Sequence, residues 1–430
     1  MALNYFNIFA FFAIGILAAL TFVVLFEPGL AYRIDVPLPA PDTDDFFRLL
    51  GAVVDEPALD VANYDVLTDG AAFYSAELEA IRNATASIHL EAYIFHVTPI
   101  GKRFLDALTE RAAQGIQVRV VVDAVGSMLT PNRFFDGLRA AGGRAVWYHP
   151  FRWYTLKRLN NRTHRELLVI DGLTGFIGGA GIATAWWEGE KGQRPWRDTM
   201  LRVDGPIAAA LQTVFIENWL EGTGEILAGE GIFPACNRYQ PPTSVGQKLS
   251  LVVASTPSAG RATRARILFQ MLVAAARTSI CVNSPYFLPD RAMRRELLRA
   301  TRRGVQVTVI VPGKHNNHPM ARRASRRHYG ELLAGGVIIH EYEPGMIHAK
   351  IMIVDAIWSV IGSTNFDNRS FGLNDEVNLA VMDNDMATRL ATDFALDLRS
   401  SRRVDFSEWA RRPVTERLLA LAGILIERHE

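Results

Sequence analysis

Only two cysteines, Cys236 and Cys281, occur among the 430 residues, and Cys281 sits in an apolar, strand-like run. That scarcity argues against a disulfide framework and against a cysteine metal site. Net charge is nearly absent too, with 46 basic against 45 acidic residues. The chain as a whole therefore exerts no pull toward nucleic acid, and an anionic partner has to be met by a local patch. Charge is missing altogether from Tyr5 to Phe26, a run of 22 residues. This is long enough to cross a bilayer, so it reads as a transmembrane anchor. The run has no basic segment before it and no small-x-small site soon after it, which argues against a cleaved signal peptide. Only Arg33 lies near its far flank, so charge does not set its orientation.

With 49% hydrophobic residues, the chain can bury two cores, and two domains or two fused halves are expected. The sequence repeats itself at a separation of roughly 190 residues. Ala84–Phe95 echoes Ala276–Phe287, Ala113–Val122 echoes Arg303–Val311, and Ala141-Gly-Gly143 echoes Ala334-Gly-Gly336. Leu105–Ala113 and Met293–Thr301 have helical periodicity and end at Gly115 and Gly304. Val118–Val122 and Val307–Val311 read as the buried strands that follow. Such alternation implies an α/β fold, a mixed sheet covered on both faces in each half.

The chemistry-bearing text is also duplicated. The complete copy runs Met346-Ile-His348-Ala-Lys350-Ile-Met-Ile-Val-Asp355, followed by Gly362-Ser363-Thr-Asn365. His348 and Lys350 are two apart in an extended run, so both side chains fall on one face. The earlier copy is altered: Thr163-His164-Arg165-Glu166 leads to Asp171, then Gly178-Gly-Ala-Gly181. A pair of histidines suits substitution at a phosphodiester. One imidazole attacks phosphorus, while the other gives a proton to the leaving alkoxide and then takes one from the incoming alcohol or water.

The pattern H-x-K-x4-D-x6-G-S-x-N resembles the phospholipase D superfamily, whose members build one active site from two such motifs. Asn283–Asp290, Gly345–Lys350, Gly362–Phe371 with Asn374-Asp-Glu376, and Trp196-Arg-Asp198 with Gly205-Pro206 are similar to bacterial cardiolipin synthases. The likeness spans roughly residues 60–400. It implies two fused, pseudo-twofold-related α/β/α halves of the phospholipase D-like type behind one N-terminal transmembrane helix. It implies His164 and His348 as the catalytic pair, commonly with the first-motif histidine as nucleophile, although the residues themselves leave that choice open. By the same resemblance Asp198 orients His164 and Glu376 orients His348. Lys350 and Asn365, with Ser363, bind the phosphate oxygens, where charge grows in the transition state. Asp171 and Asp355, at strand ends, are assigned a structural role.

Two positions depart from the family: Glu166 stands where lysine is expected and Gly181 where asparagine is. An anion about 4 Å from a phosphate costs several kcal/mol relative to a cation at an effective dielectric near ~20. Three compensations are open. Arg162 shares the strand parity of Glu166 and is the favoured one, to neutralise it or reach the phosphate. Alternatively Glu166 is protonated, or a divalent cation bridges it to the substrate. No other cofactor is implied.

The expected organisation is an anchor (1–30), a juxtamembrane connector (31–58), a first half (59–235), a linker (236–249), a second half (250–402) and a helical tail (403–430). Arg322, Arg323, Arg326 and Arg327 form a cationic helix face suited to anionic headgroups. With an anchor in the same chain, anionic phospholipid and membrane are the expected partners, and nucleic acid is not. The family resemblance favours the inner membrane, single-pass, with the catalytic body in the cytosol. The leading reading is phosphatidyl transfer from phosphatidylglycerol to a second lipid alcohol. Its rivals are a phosphodiester hydrolase, a nuclease of the same superfamily, and a lipid-binding pseudoenzyme, the last because of Glu166 and Gly181.

Overall fold

The structure, a computed structural model, describes residues 9–17, 19, 32–61, 63–153, 158, 160–189, 192–234, 248–258 and 263–413. The interior of the expected linker and the tail from Val414 onward lie outside them. Of the apolar run Tyr5–Phe26, residues 9–17 and 19 are described; they are helical, with Phe9, Phe11, Phe12 and Leu17 exposed. Among the described residues no helix is long and apolar enough to cross a membrane.

The connector is partly built into the body. Helix α1 (Asp44–Val54), capped by the Thr43 side chain, buries Phe46, Phe47, Leu50 and Val54 in the core of the second half. Phe47 stacks on Trp358 at 5.7 Å, and the Trp358 indole donates to the Pro41 carbonyl at 2.7 Å. Strand β1 (Leu59–Asp60) then pairs with Leu249 and Ser250 of the second half. Residues 44–60 thus belong with the second half, which corrects the connector boundary: the aromatic pair finds its apolar partner there.

The first half supplies β2 (Tyr64–Thr68), β3 (Ser87–Ala92), β4 (Gln117–Asp123) and β5 (Arg144–Tyr148), then the short β6 (Arg162–Thr163). After these come β7 (Glu166–Ile170), β8 (Thr174–Gly178) and β9 (Thr199–Asp204). Their order is β2-β9-β8-β7-β3-β4-β5, with β3, β4 and β5 parallel. The second half supplies β10 (Leu249–Ser255), β11 (Ser279–Asn283), β12 (Phe287–Leu288), β13 (Gln306–Pro312) and β14 (Ile338–Tyr342). It continues with β15 (Ile351–Val354), β16 (Trp358–Gly362), β17 (Phe366–Asp367), β18 (Asn374–Met382) and β19 (Ser401–Arg403). Its main run, β10-β18-β16-β15-β11-β13-β14, repeats the first order strand for strand. The Val/Ile runs are the parallel strands β4 and β13, buried on both faces as such strands must be. The helices before them, Pro99–Ala113 and Arg291–Arg302, start at capping side chains of Thr98 and Asp290. Gly115 and Gly304, at φ of 88° and 91°, end these turns in a backbone region that other residues resist.

Among the described residues there are three large apolar cores, beside a small fourth cluster of Leu288, Ala321 and Ala324. Outer helices cover one face of each sheet. Between the sheets lies a shared core, built from Leu167, Val169, Ile177 and Leu201 of one half and Ile351, Ile353, Ile361 and Leu379 of the other. Helices Pro206–Thr223 and Asn384–Arg399 also bury side chains in this middle layer. The halves are therefore joined by their hydrophobic faces, which fixes the relation of their strand ends.

Candidate active site

Both sheets present the same edge to one cleft of about 580 Å³, lined by Tyr93, His164, Glu166, Gly179, Trp186, His348, Asn365 and Arg369 among others. His164 lies between β6 and β7, and His348 with Lys350 just precedes β15, so the histidines flank the strands, whereas Glu166 opens β7. Each histidine is tied to the other half through its backbone. The His164 amide donates to the Asp375 carbonyl at 2.9 Å, and the His348 amide donates to the Arg197 carbonyl at 2.7 Å. Asp375 directly precedes Glu376, and Arg197 directly precedes Asp198.

That exchange crosses the acid partners. His164 Nδ1 lies 3.1 Å from both carboxylate oxygens of Glu376, and His348 Nδ1 lies 3.0 Å from Asp198 Oδ2. The expected pairing, Asp198 with His164 and Glu376 with His348, is overturned: each acid serves the histidine of the opposite half. A carboxylate only accepts, so each Nδ1 carries a hydrogen toward its acid, and each Nε2 is left to act toward the cleft, bare when it attacks and protonated when it donates. The Trp186 indole also donates to Asp198 Oδ2, at 2.9 Å, and the Thr199 amide donates to Oδ1. Burial works against the Asp198 charge, but the bond from His348 and the nearby Lys350 ammonium together hold its carboxyl below the usual range.

His348 is 6% exposed and sits between the rings of Trp186 and Trp196, at 5.1 and 5.4 Å. Burial, with the charge of Lys350, pushes its imidazole down to about 4, so the ring is neutral at pH 7. His164 has Tyr93 edge-on at 5.2 Å. Sequence reasoning missed these aromatic neighbours. Trp186 was legible only as half of an aromatic pair, since nothing local shows that α-helix Thr184–Trp187 turns it onto the other half's histidine.

Lys350 Nζ lies 2.9 Å from His348 Nδ1 and donates to the carbonyls of His348 and Gly179. A Cβ at Gly179 would come within 2.7 Å of that Nζ, so this glycine makes room for the lysine. Burial lowers the Lys350 ammonium from its ordinary value, against the pull of Asp198, Glu376 and Glu166. Asn365 lines the cleft, and its buried Oδ1 has no partner among the described residues. Ser363 is not on the phosphate side: its hydroxyl donates to Glu376 and accepts from the Val377 amide, so it braces the acid.

Glu166 enters the cleft from the first half. Its Oε1 accepts from the amides of Tyr93 and Ile94, at 3.2 and 3.4 Å. Burial raises its carboxyl well above the ordinary range, although Lys350 and these amides oppose the shift. A Cβ at Gly181 would come within 2.8 Å of Ile94 and 3.0 Å of Glu166 Oε1. The two departures from the family pattern are thus one local arrangement, in which glycine clears the space the glutamate occupies. Arg162 does not compensate. Its guanidinium faces Asp123 at 3.6 Å and donates to the carbonyls of Asn161, His149 and Arg158. It starts the separate strand β6, whose path turns it toward β4 rather than Glu166. Among the described residues no three His, Cys, Asp or Glu side chains converge as a metal cage would.

Asp171 and Asp355 stand away from the cleft, each in a left-handed turn at φ 55°. Asp171 accepts from the amides of Thr85, Ala86 and Ser87 and the Thr85 hydroxyl. Asp355 does the same with Arg277, Thr278 and Ser279. On the helix Pro319–Ala334, Arg322 and Arg326 are turned inward onto Glu341 of β14. The expected four-arginine face is reduced accordingly; Arg323 and Arg327 remain half-buried beside it.

Two histidines with crossed carboxylates, a lysine and an asparagine define a site for substitution at a phosphodiester, on a duplicated α/β scaffold. The sequence profile described as "Cardiolipin synthase, PLD-like domain" matches residues 78–219 and 269–398, and the chain belongs to that family. A cardiolipin synthase of Alkalihalophilus pseudofirmus is 34% identical over 88% of this chain and 75% of its own length. The major cardiolipin synthase of Bacillus subtilis is 34% identical over 82% of this chain and 72% of its own. Among solved structures, phosphatidylserine synthase of Haemophilus influenzae superposes with a TM-score of 0.70 at 16% identity, covering 89% of this chain and 99% of that one. This last likeness establishes the fold.

Proposed function

We propose that the protein is a phosphatidyltransferase that makes cardiolipin, taking a phosphatidyl group from phosphatidylglycerol and passing it to a second lipid alcohol. The observation that carries this is the reciprocal pair of histidine–carboxylate contacts, with both histidines and Asn365 lining one cleft and Lys350 lying against His348. A bare Nε2 attacks phosphorus, a nitrogen–phosphorus bond forms, and the bond to glycerol breaks. The second imidazole, protonated at Nε2, gives that proton to the departing glycerol oxygen and keeps its Nδ1 hydrogen on the carboxylate. It then takes one from the hydroxyl of the incoming lipid, which displaces the histidine. Lys350 and Asn365 hold the non-bridging oxygens as their charge grows. Glu166 stays protonated: Oε1 accepts the two amides, and the Oε2 hydroxyl donates to a phosphate oxygen in place of the family's lysine.

The apolar run Tyr5–Phe26 anchors the chain in the inner membrane as a single span, with the catalytic body on the cytosolic side. The exposed apolar side chains all round residues 9–17 support this reading. Deleting residues 1–30 then reduces membrane retention, and full retention would contradict the anchor.

The test is lipid mass spectrometry on the protein in mixed micelles of phosphatidylglycerol, beside His164→Ala and His348→Ala. Cardiolipin and free glycerol, lost in both variants, are expected. Phosphatidic acid as the main product would make the protein a hydrolase. Phosphatidylglycerol bound but unturned would make it a pseudoenzyme.

A further inference from the structure

We propose that the loops after β3, β4 and β5 form an apolar lip that enters the bilayer beside the cleft, so that the lipid diester reaches the histidines without leaving the membrane. This deepens the phosphatidyl-transfer reading and rests on it. The parallel order of β3, β4 and β5 sends their carboxyl ends to the edge that carries the cleft. Beyond those ends stand Met128, Leu129, Phe151 and Trp153, each between 72% and 81% exposed. Val97 and Val125 extend the patch, and Val125 also lines the cleft itself.

The loops after β3 and β4 are fixed to each other, and the chain after β5 joins them at its base. Asp123 and Tyr148 are in register, and the Ala124 amide donates to the Tyr148 carbonyl at 3.1 Å. Ser127 is tied to the loop after β3 in both directions, accepting from the Phe95 amide at 2.8 Å and donating to the Tyr93 carbonyl at 2.9 Å. The Thr130 hydroxyl donates to the Phe95 carbonyl. Water-facing loops are usually polar, and large exposed apolar side chains concentrated beside a cleft mark an interaction surface.

Charge selects a phospholipid surface as the occupant. Arg133 and Arg152 are exposed on these same loops, and Lys314 is exposed on the loop after β13, at the corresponding carboxyl end of the second sheet. Cations beside apolar anchors suit an anionic headgroup layer above hydrocarbon. A phosphodiester carrying two acyl chains also resides in the bilayer, so a cleft acting on it gains from lying against the membrane.

The test places an environment-sensitive dye on the full chain, at Met128→Cys or, as control, at Gln114→Cys, which is exposed just before the amino end of β4. Both variants carry Cys236→Ser and Cys281→Ser. Vesicles of phosphatidylcholine with phosphatidylglycerol contain a phospholipid spin-labelled at a shallow acyl position. Quenching at position 128 and none at position 114 is expected. With the chain bound to vesicles, no quenching at 128, or equal quenching at both, would overturn the proposal; the former would turn attention to a protein partner for the lip. This readout needs no turnover, so it stands apart from failure of the phosphatidyl-transfer reading. A companion variant, with Met128, Leu129, Phe151 and Trp153 all changed to Ser, should lose about tenfold of turnover on vesicles. It should keep turnover on monomeric short-chain phosphatidylglycerol, and an equal loss on both substrates would also count against the lip.

Discussion

At the scale of single residues, Glu166 decides how this site differs from its family pattern. It occupies space cleared by Gly181, receives two backbone amides, and stands near the Lys350 charge. If it works as a neutral donor, Glu166→Gln retains turnover within about twofold, because an amide N–H donates in the same place. Glu166→Ala should lose about 10–100-fold, the usual scale for one donor to a developing oxyanion. Full loss in the glutamine variant would show that the carboxyl itself transfers a proton. The acids Asp198 and Glu376 were legible in the sequence because each stands in a segment that resembles the family, 27 residues after Asp171 and 21 after Asp355. Their partners were not, because only the inter-half exchange at Arg197–Ile347 and Thr163–Asp375 tells which histidine each one meets. Asp198→Asn should therefore disturb the Nδ1 environment of His348 and leave that of His164, read by nitrogen NMR of labelled imidazoles. The opposite pattern would restore the uncrossed pairing.

Among elements, the alternation of helix and buried strand in each half was legible in its Val/Ile runs and glycine stops, since a strand buried on both faces leaves a continuous apolar signature, whereas the order of strands across the sheet was not. Short elements were not legible. Strand β6 removes Arg162 from the cleft, and a four-residue helix delivers Trp186 to His348; two to four residues carry no period to read. The turns after β7 and β15 depend on Asp171 and Asp355, each accepting four hydrogen bonds. Asp355→Ala leaves three amides without that acceptor and should cost about 2–3 kcal/mol in denaturant unfolding. A change below about 0.5 kcal/mol would mean that water replaces the carboxylate freely.

For the molecule as a whole, the middle core makes the two halves one folding unit, which a count of repeats does not disclose. Its stability should depend on pH through Glu77, whose carboxyl is pushed up to about 8 by burial. The folded state holds a proton that the unfolded chain has released. The stability present in acid is therefore lost as pH rises through about 8. Wild type should lose roughly 5 °C of Tm more than Glu77→Gln between pH 6 and 9. Parallel curves for the two proteins would show that Glu77 is not the group responsible. The central claim is that both halves complete one site and pass a phosphatidyl group through histidine. The most direct test quenches the protein with phosphatidylglycerol at neutral pH within milliseconds and maps the adduct by peptide mass spectrometry. The account predicts a phosphatidyl mass on His164 or His348, absent when either histidine is replaced by alanine. Cardiolipin formed at the wild-type rate by His348→Ala, with no adduct on either histidine, would contradict it.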